Sequence, residues 1–269
     1  MKIHTPERFN NEMLQPFEET SMTSVQRRTF SVSLESWGYS QTGNVKNENQ
    51  DSYLNWAERK LWAVADGVGS NEASGAASKL IMKFLMRLTE PDSLSAHIAN
   101  VNRKLVEANG LLMHQKAATG KMAASTIVLL LAHGGMATCL WAGDSRCYIL
   151  RGGILYQCTK DHSLRQEKID KGELTRFEAQ RMVKGNIITN AVGVKRDLTL
   201  GEETFPLRAG DRYLLCTDGL TNLLSPDALI TYMSRDSAKE TVNGIAETLE
   251  DMRQPDNITF ITIFVSELE

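Results

Sequence analysis

Apolar and polar positions change period several times along this chain, and each change marks an element. "FSVSLESWGYS" (30–40) alternates apolar and polar residues, the period of a half-buried strand. "KLWAVAD" (60–66) is apolar almost throughout and predicts a more deeply buried strand. In "SGAASKLIMKFLMRL" (74–88), Ala77, Leu80, Ile81, Phe84, Leu85 and Leu88 recur at helical spacing. A second helix is predicted from about Asp92, with Asp92 or Ser93 as its N-cap. Its stripe is Leu94, Ile98, Val101, Leu105, Ala108 and Leu112.

The middle of the chain reads as strands in quick succession: "STIVLLLA", "MATCLWAG", "RCYILR" and "ILYQCT". Gly134-Gly135 and Gly152-Gly153 separate two of the pairs, and Gly-Gly between apolar runs predicts a tight hairpin. A charged stretch, "DHSLRQEKIDKGELTRFEAQRMVKGN", predicts one or two short exposed helices on a flap over the sheet. "NIITNAVG" returns to strand texture, and "DRYLLCTDGL" is another buried strand. "SPDALITYM" starts a helix at Pro226, "SAKETVNGIAETLEDM" is a further helix, and "NITFITIFVSE" is a closing strand. Helices and strands are grouped instead of alternating. That predicts an α+β domain of packed antiparallel sheets flanked by helices, over 31–269. Residues 1–30 are polar and aperiodic and read as an extension.

Composition narrows the function classes. The 269 residues carry a net charge of −3, so the basic footprint of a nucleic-acid binder is not expected. No apolar run is long enough to insert in a membrane, and the N-terminus lacks a signal-peptide core. The four cysteines (Cys139, Cys147, Cys158 and Cys216) form no CxxC pair and read as core residues of a cytoplasmic protein. "GVGSNE" lacks the third glycine of a dinucleotide loop, and Gly120-Lys121 lacks the rest of a P-loop.

Five aspartates interrupt or border apolar runs: Asp51, Asp66, Asp144, Asp218 and Asp256. Any one of them fits an ordinary turn, because Asp caps nearby backbone N–H groups. As a set they suggest more. Two carboxylates about 4 Å apart repel by roughly 4 kcal/mol at an effective dielectric of about 20, so converging strand ends would need a cation. Oxygen donors without His or Cys favour a hard ion, Mg²⁺ or Mn²⁺. Glycines after Asp66 and Asp218 would let the backbone turn sharply and bring a carbonyl near the ion.

"GNVKNENQDSY", "WAVADGVGSNEASGAAS", "AGDSRCYILRGGILYQCTKDHS", "ITNAVG", "LLCTDGL" and "DNITFITI" together resemble the type 2C, metal-dependent serine/threonine protein phosphatases, bacterial type. The resemblance runs from about residue 36 to the C-terminus. It implies a four-layer α-β-β-α sandwich and hydrolysis of phosphoserine or phosphothreonine on proteins. The attacking group would be a hydroxide bridging two Mn²⁺ or Mg²⁺ ions. It implies that Asp66 bridges the ions, that the Gly67 carbonyl binds one, and that Asp218 and Asp256 complete the first. Asp51 and Gln50 would hold water at the ions, and Asp144 would contribute to a weaker third site. The implied partners are phosphorylated proteins in a signalling pathway and a cognate serine/threonine kinase.

Lys46 stands where the family usually has arginine, so phosphate would meet a point charge instead of a two-pronged donor. Val68 stands where eukaryotic-type members carry a histidine, so no side chain is assigned as general acid. Ser70 replaces a family glycine. His162 is assigned to the base of the flap and not to catalysis. The competing reading is a pseudophosphatase that binds phosphoproteins without turnover; only Lys46 favours it.

Overall fold

In a computed structural model of the chain, residues 32–69, 72–89, 91–183 and 187–267 are described. The extension expected over 1–30 and Ser70 lie outside the described residues.

The elements run β1 (Val32–Gln41), β2 (Ser52–Trp56), a 3₁₀ turn (Ala57–Arg59), β3 (Leu61–Ala65), β4 (Gly67–Val68), α1 (Glu72–Leu85) and α2 (Leu94–Thr119). Then come β5 (Ala124–Ser125), β6 (Ile127–His133), β7 (Met136–Ala142), β8 (Arg146–Arg151), β9 (Ile154–Gln157), α3 (Leu164–Asp170) and α4 (Arg176–Met182). The chain continues through β10 (Gly201–Pro206), β11 (Arg212–Cys216), α5 (Asp218–Thr221), α6 (Pro226–Met233), α7 (Ala238–Glu250) and β12 (Ile258–Glu267). Ser93 is the N-cap of α2, and its hydroxyl accepts the Ala96 N–H. Pro226 opens α6, where its missing N–H leaves no helical bond unmade.

Two five-stranded antiparallel sheets dominate, ordered β1-β12-β11-β8-β9 and β10-β7-β6-β3-β2. Successive side chains of a strand face opposite ways, so a strand covered on both faces reads as a continuous apolar run. β3 is such a strand. Trp62 and Val64 enter the core between the sheets, while Leu61, Ala63 and Ala65 pack toward α1 and α2. β12 divides likewise: Ile261, Ile263 and Val265 face the other sheet, and Ile258 and Phe260 pack with Ile245 and Leu249 of α7. The result is a four-layer α-β-β-α sandwich with three apolar interfaces. All four cysteines are free and buried.

Two expectations need correction. Among its described residues, 187–193, "NIITNAVG" forms no strand; it makes isolated bridges, Ile188 to Ser163 at the start of the flap helices α3 and α4, and Val192 to Ser125 of β5. Its apolar residues anchor a loop instead of filling a pleated face. Conversely, "GEETFP" forms β10, an edge strand on β7. Its polar texture concealed it, since an edge strand can rest on one buried side chain, here Phe205.

Leu105 is fully buried on α2, whereas Leu111 of the same helix is 39% exposed. Leu105→Ala is expected to lower unfolding stability by about 2–5 kcal/mol. Leu111→Ala should stay within about 0.5 kcal/mol of the parent. Urea denaturation of the two variants checks this.

Candidate metal centre and active site

Strand register gathers the five aspartates on one rim. Ser52 of β2 pairs with Ala65 of β3, which brings Asp51 beside Asp66. Val64 pairs with Val128 and Ile127 with Ala142, which carries the turn holding Asp144 to the same end. Cys216 of β11 pairs with both Phe260 of β12 and Arg146 of β8, which adds Asp218 and Asp256. Antiparallel pairing thus turns five sequence-distant strand ends into neighbours.

Burial and like charge together raise the proton affinity of three of the aspartates. The Asp66 side chain remains partly accessible, yet it is enclosed by protein atoms. Loss of solvent, and then the charges of Asp51, Asp218, Asp144 and Asp256, push its carboxyl well above the usual range. Asp51 is pushed up to about 7, first by burial. Hydrogen bonds from Thr259 and Thr217 oppose the shift, and Asp218 and Asp256 add to it. Asp144 is pushed up to about 7, again by burial first, then by Asp218 and Asp161. Asp51 Oδ1 and Asp144 Oδ2 are buried and accept no hydrogen bond. Unpartnered carboxylate oxygens among like-charged neighbours fit a cation. Among the described residues, no three His, Cys, Asp or Glu side chains are drawn together tightly enough to hold an ion as they stand. The carboxylates instead stand within reach of one another's fields.

The surrounding backbone is fixed by residues that sequence reasoning missed. Thr126 Oγ1 accepts the Asp66 N–H at 3.0 Å, and the Thr126 N–H donates to the Asp66 carbonyl at 2.8 Å. Thr217 donates its hydroxyl to Asp51 Oδ2 at 3.1 Å. The Asn257 amide donates to the Thr42 and Glu48 carbonyls and accepts the Gln50 N–H at 2.9 Å, which fastens the 42–51 loop to the start of β12. The available signal was adjacency: Thr217 precedes Asp218 and Asn257 follows Asp256.

The two glycines matter for a reason other than a sharp turn, since neither has a positive φ. A Cβ on Gly67 would lie 2.5 Å from the Ser74 carbonyl oxygen, and one on Gly219 would overlap the Asn257 carbonyl. Both permit close packing of backbone around the site. Lys46 Nζ lies 3.1 Å from Asp256 Oδ1, so its ammonium already sits among the carboxylates. His162 stacks on Trp141 and accepts the Gly143 N–H, while its own N–H and carbonyl bond Gly143 and Thr189. Its place is the join between the flap and the β7–β8 turn.

A family model described as protein phosphatase 2C matches residues 42–254. The chain belongs to that family. It is 30% identical over 235 residues to the serine/threonine protein phosphatase PstP of Mycobacterium tuberculosis, which covers 86% of this chain and 45% of that protein. It is 30% identical over 241 residues to the protein phosphatase PhpP of Streptococcus pneumoniae, across 84% of this chain and 95% of that one. The chain therefore spans less than half of the mycobacterial relative and nearly all of the streptococcal one.

The family fold is equally plain in solved structures. PppA of Pseudomonas aeruginosa, described as a key regulatory component of T6SS, superposes with a TM-score of 0.80 at 35% identity, over 88% of this chain and 99% of that one. The catalytic domain of PstP in complex with two manganese ions superposes with a TM-score of 0.77 at 29% identity, over 88% of this chain and 100% of that one.

The raised carboxyls set a pH dependence. Folded, cation-free protein holds protons on Asp51, Asp66 and Asp144 that the unfolded chain gives up above its ordinary carboxylate pKa near 4. For Asp51 and Asp144 the contribution to stability is therefore full below about pH 4 and is lost as pH rises through about 7; for Asp66, raised in the same direction, it is lost likewise on raising pH. Chelator-treated protein should melt at lower temperature at pH 8 than at pH 5.5, and Mn²⁺ should restore most of the loss at pH 8. Asp144→Asn should shrink the loss of unfolding free energy between pH 5.5 and 8 by about 2 kcal/mol. Identical pH profiles for the chelated parent and variant would contradict the repulsion account.

Proposed function

We propose that this chain is a Mn²⁺- or Mg²⁺-dependent phosphatase acting on phosphoserine and phosphothreonine in proteins. The observation that carries the reading is the ring of Asp51, Asp66, Asp144, Asp218 and Asp256, with buried carboxylate oxygens left without donors, in a member of the protein phosphatase 2C family. Asp66, Asp218, Asp256 and the Gly67 carbonyl would hold two ions. Asp144 would contribute to a weaker third position. Bound hard cations supply Lewis acidity: they lower the pKa of water and neutralise charge on phosphoryl oxygens.

The chain's own residues do the rest. Asp51, fixed by Thr217, and Gln50, fixed by Asn257, orient water toward phosphorus. Lys46 leaves Asp256 when a phosphate arrives and meets its oxygens as a point charge. The expected partners are phosphorylated proteins and the serine/threonine kinase that modifies them. Four buried free thiols suit the reducing cytoplasm, and among the described residues no helix is long and apolar enough to cross a membrane.

The decisive assay is Mn²⁺-dependent phosphate release from a phosphothreonine peptide. Asp66→Asn should lower kcat/KM by at least about a hundredfold, because the Lewis acidity it supports is worth several kcal/mol. Circular dichroism should show its fold retained. Full activity in that variant would remove the assignment. Lys46→Ala should raise KM for the peptide more than Lys46→Arg does; equal values would take Lys46 away from phosphate.

A further inference from the structure

A groove leads away from the metal centre along the helical layer. Its near end is a hollow of about 540 Å³ lined by Glu48, Asn49, Gly75, Ala76 and Lys79. Its far end is a hollow of about 360 Å³ between α1 and α2, with Leu80 and Leu112 below and Lys79, Lys83 and Gln115 at its edges. Ala76 and Lys79 line both, so the two hollows adjoin. The near end shares its walls with the site. Asn49 Oδ1 accepts the Asp51 N–H at 3.0 Å, Ser78 donates to the Gln50 carbonyl at 2.6 Å, and a Cβ on Gly75 would lie 3.4 Å from the Gln50 Cα.

The groove is cationic in a chain whose net charge is −3. Lys79 and Lys83 are four positions apart on α1 and face the same way. Both are exposed, and among the described residues neither forms an ion pair. Residues 73–89 and 108–123 include Lys79, Lys83, Arg87, Lys116 and Lys121 without a single Asp or Glu. Elsewhere on the same helical layer the cations are matched: Arg103 and Lys104 both pair with Glu107. Glu48 is the one acid in the lining, and it stands at the end beside the metal centre.

We infer that this groove docks an acidic segment of the phosphoprotein substrate, with Lys79 and Lys83 as specificity-determining residues; the inference rests on the phosphatase reading. Gly75 to Lys83 spans about 12 Å of helix. That corresponds to about four residues of extended peptide. Glu48 repels a carboxylate next to the phosphoresidue, so the favoured acids lie about two to five positions away.

The test compares Mn²⁺-loaded parent and Lys79→Glu/Lys83→Glu protein on three substrates. These are p-nitrophenyl phosphate, a phosphothreonine peptide with Asp or Glu at those positions on both sides, and the same peptide with Ala there. Both substitutions are on an exposed helix face and leave the core untouched. The double variant should lose about tenfold in kcat/KM on the acidic peptide through KM, and keep its rates on the other two substrates. Fluorescence anisotropy with the unphosphorylated acidic peptide gives a readout independent of turnover. The parent should bind it, more weakly as salt rises, and the variant should not. Equal kcat/KM for parent and variant on the acidic peptide, or an equal loss on all three substrates, overturns the docking site. A parent that turns over no substrate removes the phosphatase reading instead. In that case salt-sensitive peptide binding lost in the variant still supports the groove, and its absence overturns it.

Discussion

Like charge crowded onto one rim is the constraint around which the molecule is arranged. Burial, and then the charges of their acidic neighbours, raise the proton affinity of Asp51, Asp66 and Asp144, and an oxygen each of Asp51 and Asp144 is buried without a donor. Such a cluster is unfavourable by itself and persists only because a rigid frame holds it. The frame is the pair of five-stranded sheets, with apolar contacts on both faces of β3 and β12. Repulsion at the rim is thus set against apolar burial a few residues away.

The frame alone would place strand ends but not the loops between them. Hydroxyl and amide side chains do that at short range. Thr126 clasps Asp66 through both its N–H and its hydroxyl, Thr217 holds one Asp51 oxygen, and Asn257 fastens the loop carrying Gln50 to β12. Each such bond contributes only about 1 kcal/mol to stability. Their larger effect is geometric, since a carboxylate with a fixed backbone cannot swing away from its neighbours. His162 does the same for the flap, clamped between Trp141, Gly143 and Thr189.

The distribution of charge extends this logic beyond the centre. The rim is acidic, and the helical flank beside it carries lysines that, among the described residues, form no ion pair. On the proposed reading, a substrate bearing phosphate and carboxylates would meet opposite signs in sequence: lysines along the groove, then a cluster of carboxylates whose charge protons or cations would offset. Lys46, paired to Asp256, belongs to the second region, and Lys79 and Lys83 to the first.

The sequence by itself determined the elements whose local chemistry is strong. The Gly134-Gly135 and Gly152-Gly153 hairpins, the Ser93 cap, the Pro226 helix start and the doubly buried strands all follow from residue type and period. It also singled out the five aspartates, because a charge at the end of an apolar run is legible without a structure. It could not show β10, whose polar texture hides an edge strand, or that "NIITNAVG" is a loop anchor. It expected a sharp turn at Gly67 and Gly219, whose φ is not positive; what their missing Cβ allows is close approach of a neighbouring carbonyl. Only the tertiary structure decided which strand ends meet, which hydroxyls clasp them and where the unmatched lysines lie relative to the centre. The physical reason is range: propensity and period act over a few residues, whereas repulsion, register and close packing act between residues that the chain separates by more than two hundred positions.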